Sequence, residues 1–239
     1  MAKKKPTKNL KSSQKIQITE NGPYLISGGL PLAKETIISD GEGIATEWLK
    51  RDRYPNQDNY ALCRCGKSKN KPYCDSTHVK ICFDGTETAP RTNIYENAEK
   101  TTGPELLLID AEHLCAAARF CHRAGGTWDL VEKPSDQTSK KIAIEEVCDC
   151  PSGRLVIIDR KTGKTIEPRF EPSISLVEDP DKEVSGPIWV KGGVNLQSAN
   201  GVQYETRNRV TLCRCGSSQN KPFCDSTHIH IGFRSDDKT

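Results

Sequence analysis

Short apolar or alternating runs, broken by glycine, proline and asparagine, make up most of the chain. No apolar stretch reaches 18 residues, the length at which a membrane span is expected. Tyr24–Ser27 and Ile188–Lys191 predict short strands, each followed by a Gly-Gly turn and then a cysteine-rich loop. After each loop, DSTHVKICF (75–83) and DSTHIHIGF (225–233) predict a single helical turn running into an extended segment, with Asp75 and Asp225 as N-caps. Between these stretches the pattern differs. ELLLID (105–110) predicts a strand, AEHLCAAARFCHRAG (111–125) a helix, IAIEEVCDC (142–150) a second helix, and GRLVIID (153–159) another strand. The first 20 residues are rich in lysine and serine and are expected to be disordered.

The two loops are copies of one another. Residues 62–83 (LCRCGKSKNKPYCDSTHVKICF) and 212–233 (LCRCGSSQNKPFCDSTHIHIGF) agree at 16 of 22 positions. The repeat extends upstream, GPYLISGGLPL (22–32) matching GPIWVKGGVNL (186–196), although the first copy has 14 more residues before its cysteines. A duplicated module is therefore expected. The division is a basic tail over 1–20, a first module over 21–98, a small α+β unit over 99–165, and a second module over 166–239. Modules of this size bury little surface alone, which is the range where a metal site commonly supplies folding energy.

Composition narrows the chemistry. The 35 basic and 32 acidic side chains leave a net charge of +3, so no electrostatic case for nucleic acid exists. The basic start carries no apolar segment of the kind a secretory signal needs, and a cytoplasmic location without a membrane span is the expectation. Eleven cysteines, an odd number, argue against a disulfide framework and for metal binding.

Eight candidate ligands share one spacing, C-x-C-x8-C-x3-H: Cys63, Cys65, Cys74 and His78, then Cys213, Cys215, Cys224 and His228. Two cysteines one residue apart on an extended segment reach one metal ion. A cysteine and a histidine four residues apart share a face of a helical turn. Two such pairs are what two adjacent irons require. Zinc is the first rival, since three cysteines and a histidine also bind zinc, usually with a wider C-x₂₋₄-C spacing. Buried free thiols are the other alternative.

The segments CRCGKSKNKPYCDSTH and CRCGSSQNKPFCDSTH resemble the CDGSH iron–sulfur (mitoNEET-like) domain. The match runs through Cys63, Cys65, Ser68, Pro72, Cys74, Asp75, Thr77 and His78, and through Cys213, Cys215, Ser218, Pro222, Cys224, Asp225, Thr227 and His228. Ser76 and Ser226 stand where that family has glycine. The resemblance implies one [2Fe–2S] cluster per site on three cysteines and one histidine. It also implies an α+β chain whose two β-rich modules pack as an intramolecular pseudo-dimer, monomeric overall. Asp75 and Asp225 then fix the loop or the histidine rather than bind iron. One imidazole among thiolates places the potential between about −400 mV and about +300 mV, and histidine protonation couples redox to pH.

The intervening segment, with Cys115-x5-Cys121 and Cys150-Pro151, resembles the divergent mono-cluster ferredoxin domain over about 60 residues. Ala118 stands where that pattern has its central cysteine, and Cys148 does not complete the set. A [3Fe–4S] centre, an incomplete [4Fe–4S] centre and a relic acting as spacer are the three outcomes, the relic being preferred. A third cluster at Cys115, Cys121 and Cys150 is thus the secondary expectation. Cys82 pairs with Gly232 in the repeat and is not expected to bind metal. His230, opposite Lys80, is expected at the surface of a strand, and His113 and His122 as solvated helix residues.

No phosphate loop or nucleophilic triad is present, so catalysis is not expected. The expected role is electron transfer or redox and pH sensing, with a redox partner protein. Cluster transfer or storage, with an apo-protein acceptor, is the alternative, and a zinc-stabilised interaction module the third.

Overall fold

The computed structural model describes residues 14–133 and 136–236. Its first copy opens with strands β1 (Lys15–Ile18) and β2 (Tyr24–Ser27), followed by β3 (Leu32–Ser39), β4 (Ala45–Arg53), β5 (Asn59–Leu62) and a four-residue helix α1 (Thr77–Lys80). The intervening unit contains β6 (Glu99–Thr102), β7 (Leu106–Asp110), helices α2 (Thr127–Glu132) and α3 (Gln137–Asp149), β8 (Leu155–Asp159) and β9 (Lys164–Ile166). The second copy contributes β10 (Ser173–Asp179), β11 (Val184–Lys191), β12 (Asn195–Gln197), β13 (Arg209–Leu212) and α4 (Thr227–His230).

Strands are exchanged between the copies. After its Gly-Gly turn, each chain segment leaves its own sheet and pairs in parallel with the other copy's first strand. β3 aligns on β10 (Leu32 opposite Ile174), and β12 aligns on β1 (Leu196 opposite Ile16). The resulting sheets are ordered β12-β1-β2-β5 and β13-β11-β10-β3-β4. The 14 extra residues of the first copy belong to the stretch that forms the β3–β4 hairpin, which edges the second sheet.

Period-2 alternation turns Ile16, Ile18, Tyr24 and Ile26 inward from one copy, and Ile174, Leu176, Ile188 and Val190 from the other, into one cluster. The modules thus do not rely on separate small cores. They bury their apolar faces against each other, the main stabilising term for elements this short. β1 also lies within the stretch expected to be a disordered tail. Its Ile16 is fully buried, whereas residues 1–13 lie outside the described residues.

The intervening unit has its own core, in which Leu106, Leu108 and Leu155 of the sheet β6-β7-β8-β9 meet Leu130, Ala143 and Val147 of the helices. α3 begins at Asp136, whose carboxylate accepts from the Thr138 and Ser139 amides. The helix expected over 111–125 is not formed. Only the 3₁₀ turns Glu112–Leu114 and Phe120–His122 occur there, because Ala117 (φ 54°) and Arg119 (φ 65°) take the left-handed conformation and bend the segment into a loop. Trp48 stacks on Phe120 and on Trp189, with ring centroids 4.8 Å apart in each case, tying this loop to the second sheet.

Candidate metal centres

β5 and β13 deliver the first cysteine of each site. Cys63 N donates to Pro72 O and Cys74 N to Ala61 O, at 2.8 and 2.9 Å, so the loop folds back and brings Cys74 beside the strand. The second copy repeats this through Cys213 N to Pro222 O and Cys224 N to Thr211 O, at the same distances. Ser68 and Ser218 brace the loops, each hydroxyl donating to the carbonyl of residue 73 or 223 at 2.7 Å.

The eight candidate ligands are brought together as four pairs, two in each copy. Cys63 and Cys65 Sγ lie 3.8 Å apart, and Cys74 Sγ lies 3.4 Å from His78 Nδ1. The second site has the same 3.8 and 3.4 Å. Among the described residues, no three His, Cys, Asp or Glu side chains close on a point that would hold one ion. Hydrogen bonding inside each C-x-C pair draws one thiol down, Cys65 to about 6 and Cys213 to about 7, and pushes its partner up. The amides of Gly66, Lys67 and Ser68, and of Gly216, Ser217 and Ser218, point at these sulfurs and favour thiolates. Anionic sulfurs with amide donors are the surroundings that an iron–sulfur group requires.

The two aspartates act differently from the expected N-caps. Residues 76 and 226 occupy the cap positions, and neither makes a side-chain cap bond. Asp75 instead accepts from the Lys69 and Thr77 amides, at 2.8 and 3.0 Å, closing the loop on itself. The Thr77 hydroxyl and these amides hold its carboxyl far below the usual range. Asp225 does the same with Gln219 and Thr227, at 2.7 and 3.1 Å. Ser76 and Ser226 have φ of 65° and 67°, left-handed values that favour glycine. Replacing either by glycine is expected to raise stability by up to about 1 kcal/mol without changing the visible spectrum, as thermal unfolding would show.

Sequence reasoning missed the arginine between the cysteines. Arg64, 1% exposed, donates to Thr19 O and Gly85 O and lies over the Tyr24 and Phe83 rings. Arg214, 4% exposed, donates to Val177 O, Gly186 O and Glu178. The identity of the C-R-C triplet in both copies is the signal that could have found them. Tyr24 was also missed. Its hydroxyl crosses from the first copy to donate to Cys213 O at 2.9 Å.

The sites touch through backbone. A Cβ on Gly66 would lie 2.3 Å from Cys215 O, and a Cβ on Gly216 would lie 2.5 Å from Cys65 O. They differ in cover. Cys224 and His228 are each 4% exposed, whereas Cys74 and His78 are only half-buried. By the repeat, Tyr24 corresponds to Ile188, yet β11 begins at Val184, so the second hairpin runs four residues further. α4 packs on that extension, with Ser185 N donating to Phe233 O at 2.7 Å. Burial brings His228 down to about 4, which keeps its imidazole neutral and available to metal.

Cys115, Cys121 and Cys150 line one cavity together with Ala118, Arg154 and Leu155. The Ala117 amide donates to Cys115 Sγ at 3.5 Å, and burial together with the nearby Cys150 pushes Cys121 up to about 12. Cys148 lies elsewhere, its carbonyl accepting from Arg209 at 2.7 Å. Cys82 is exposed at φ 49°, close to the 57° of its counterpart Gly232. His113 and His122 are exposed, on the 3₁₀ turns rather than on a helix, and His230 is exposed on α4 rather than on a strand.

Residues 21–79 and 185–229 match the family described as iron-binding zinc finger, CDGSH type. Residues 101–160 match the family described as divergent 4Fe-4S mono-cluster. No curated protein and no solved structure matches the chain. Among the described residues, no helix is long and apolar enough to cross a membrane.

Proposed function

We propose that this iron–sulfur protein, whose two CDGSH-type matches enclose a divergent mono-cluster match, is a non-catalytic electron carrier or redox sensor. In this reading Cys63, Cys65, Cys74 and His78 hold one [2Fe–2S] cluster, and Cys213, Cys215, Cys224 and His228 a second. The copies act as a pseudo-dimer within one polypeptide. Such a cluster, when bound, supplies reversible one-electron chemistry.

The observation that carries this reading is the recurrence in both copies of the same two donor pairs, with Sγ atoms 3.8 Å apart in the C-x-C pair and Sγ 3.4 Å from Nδ1 in the Cys–His pair, within segments that match the iron-binding CDGSH-type family. The chain's own residues supply the rest. Amides stabilise the thiolates, the two aspartates lock the loops, and the contact of Gly66 with Cys215 and of Gly216 with Cys65 keeps the sites adjacent for exchange. The half-buried Cys74 and His78 favour cluster transfer as the second reading, with the first site as the releasing one.

Cys115, Cys121 and Cys150 line one cavity within the segment that matches the mono-cluster family, which supports a third cluster there as a secondary proposal beside the relic reading. Iron, sulfide and zinc analysis of anaerobically purified protein, with its visible spectrum, tests the whole reading. About four irons per chain match two binuclear sites, and about seven match a further three-iron centre. Colourless protein with two zincs overturns it.

A further inference from the structure

Of the six differences between the two ligand loops, three remove a lysine. Lys67, Lys69 and Lys80 of the first copy face Ser217, Gln219 and His230 of the second. All three lysines are exposed, and Lys71 is half-buried beside them. They belong to the loop that carries the half-buried Cys74 and His78, as do the exposed apolar side chains Val79 (68%) and Ile81 (46%). The acids in this loop are Asp75, engaged by the Lys69 and Thr77 amides, and Asp84, engaged by Thr86. The whole chain carries only +3, so this concentration of charge is local.

The second copy has the opposite character. His228 and Cys224 are covered, and the acids of the adjacent β10–β11 hairpin are paired, Glu178 with Arg214 and Glu183 with Arg234. Arg119 of the intervening unit pairs with Asp179, closing that side. One backbone design thus occurs twice, once open and lysine-rich, once covered and without those lysines.

We propose that the loop bearing Cys63, Cys65, Cys74 and His78 is the docking face for a small acidic electron-carrier protein, and that the second loop is not. This rests on the electron-transfer reading above. Lys67, Lys69 and Lys80 form a charged rim that steers an acidic surface toward the site, and Val79 and Ile81 give it an apolar centre. Steering of this kind acts over about one Debye length and weakens with salt. An acidic partner approaching the second site would instead find Ser217, Gln219 and His230 in place of the three lysines, and a covered Cys224 and His228.

The test uses the anaerobically purified full chain, with flavodoxin as an acidic carrier that contains no iron. Calorimetric titration at low ionic strength is expected to give one flavodoxin per chain, with binding at least about tenfold weaker in about 0.5 M salt. The variant K67S/K69Q/K80H, which installs the second copy's residues, is expected to weaken binding by about tenfold with iron content and visible spectrum unchanged. The converse variant, S217K/Q219K/H230K, is expected to leave the stoichiometry at one. Unaltered affinity in the first variant, a second bound flavodoxin in the converse variant, or binding of anionic phospholipid vesicles in place of flavodoxin overturns the proposal. Iron-containing protein that ignores flavodoxin defeats the docking face alone, whereas iron-free protein defeats the electron-transfer reading beneath it.

Discussion

Gly66→Ala is expected to strip iron from both CDGSH-type sites, not only from the loop in which it lies. Gly66 has φ +70°, where an L side chain costs about 1–2 kcal/mol. Its new Cβ would also fall 2.3 Å from the carbonyl oxygen and 2.7 Å from the carbonyl carbon of Cys215, a residue of the other site. Those are backbone atoms of a proposed ligand residue, so no rotamer change relieves the contact. Either the Cys63–Cys65 segment or the Cys213–Cys215 segment must move, and sulfurs held 3.8 Å apart lose their spacing. Gly216→Ala is the mirror case, with its Cβ 2.5 Å from Cys65 O. Gly232→Ala separates strain from contact. It has φ +57° and open space around it, and the first copy already tolerates Cys82 in that conformation. Iron per chain and the thermal midpoint decide the matter. Gly66→Ala and Gly216→Ala should each lose more than about 2 kcal/mol and deplete both sites, and Gly232→Ala should lose less than about half of that. Equal behaviour of all three variants would show that the loops are independent.

That backbone contact was not legible in the sequence, although the candidate ligand loops were. Ligand spacing is a local property, and its exact recurrence over residues 62–83 and 212–233 points to eight candidate donors, in segments that the family match covers in large part. Strands such as Tyr24–Ser27 and helix α3 were also local, set by alternation and by apolar periodicity. Parallel pairing of β3 with β10, and of β12 with β1, joins residues more than 100 positions apart and leaves no periodic trace. The segment 111–125 misled for a related reason. Its alanines favour a helix, but packing of Phe120 on Trp48 and pairing of Arg119 with Asp179 hold it as a loop around three cysteines. Unequal cover of His78 and His228 likewise comes from a four-residue difference in hairpin length, visible only once β10 and β11 are paired.

Arg64→Met is expected to cost about 3 kcal/mol and to loosen the first site ahead of global unfolding. The side chain is 1% exposed and carries its charge into the space between the ligand loop, the β1–β2 turn and the segment after α1. There it donates to two main-chain carbonyls, Thr19 O and Gly85 O, while the Tyr24 and Phe83 rings lie within 5.8 Å of its guanidinium carbon. Methionine fills similar volume but leaves Gly85 O without its donor and Thr19 O with only the Gly22 amide, 3.3 Å away, and an orphaned buried acceptor costs about 1–3 kcal/mol. Lysine does not rescue it, because one ammonium cannot reproduce a planar fork aimed at two acceptors. Arg214→Met should cost more, about 3–5 kcal/mol, since it also leaves Glu178 without the partner 2.9 Å away and frees Val177 O and Gly186 O. Denaturant unfolding of the two variants, followed at the visible band and by far-ultraviolet circular dichroism, checks both the ranking and the order of events. In wild type the two signals should fall together. In Arg64→Met the visible band should fall first, because the side chain that ties Cys63 and Cys65 to the rest of the first copy has gone. Coincident transitions in that variant would mean that the loop is held by its ligands alone, and the arginine between the cysteines would then be a packing residue without influence on the metal centre.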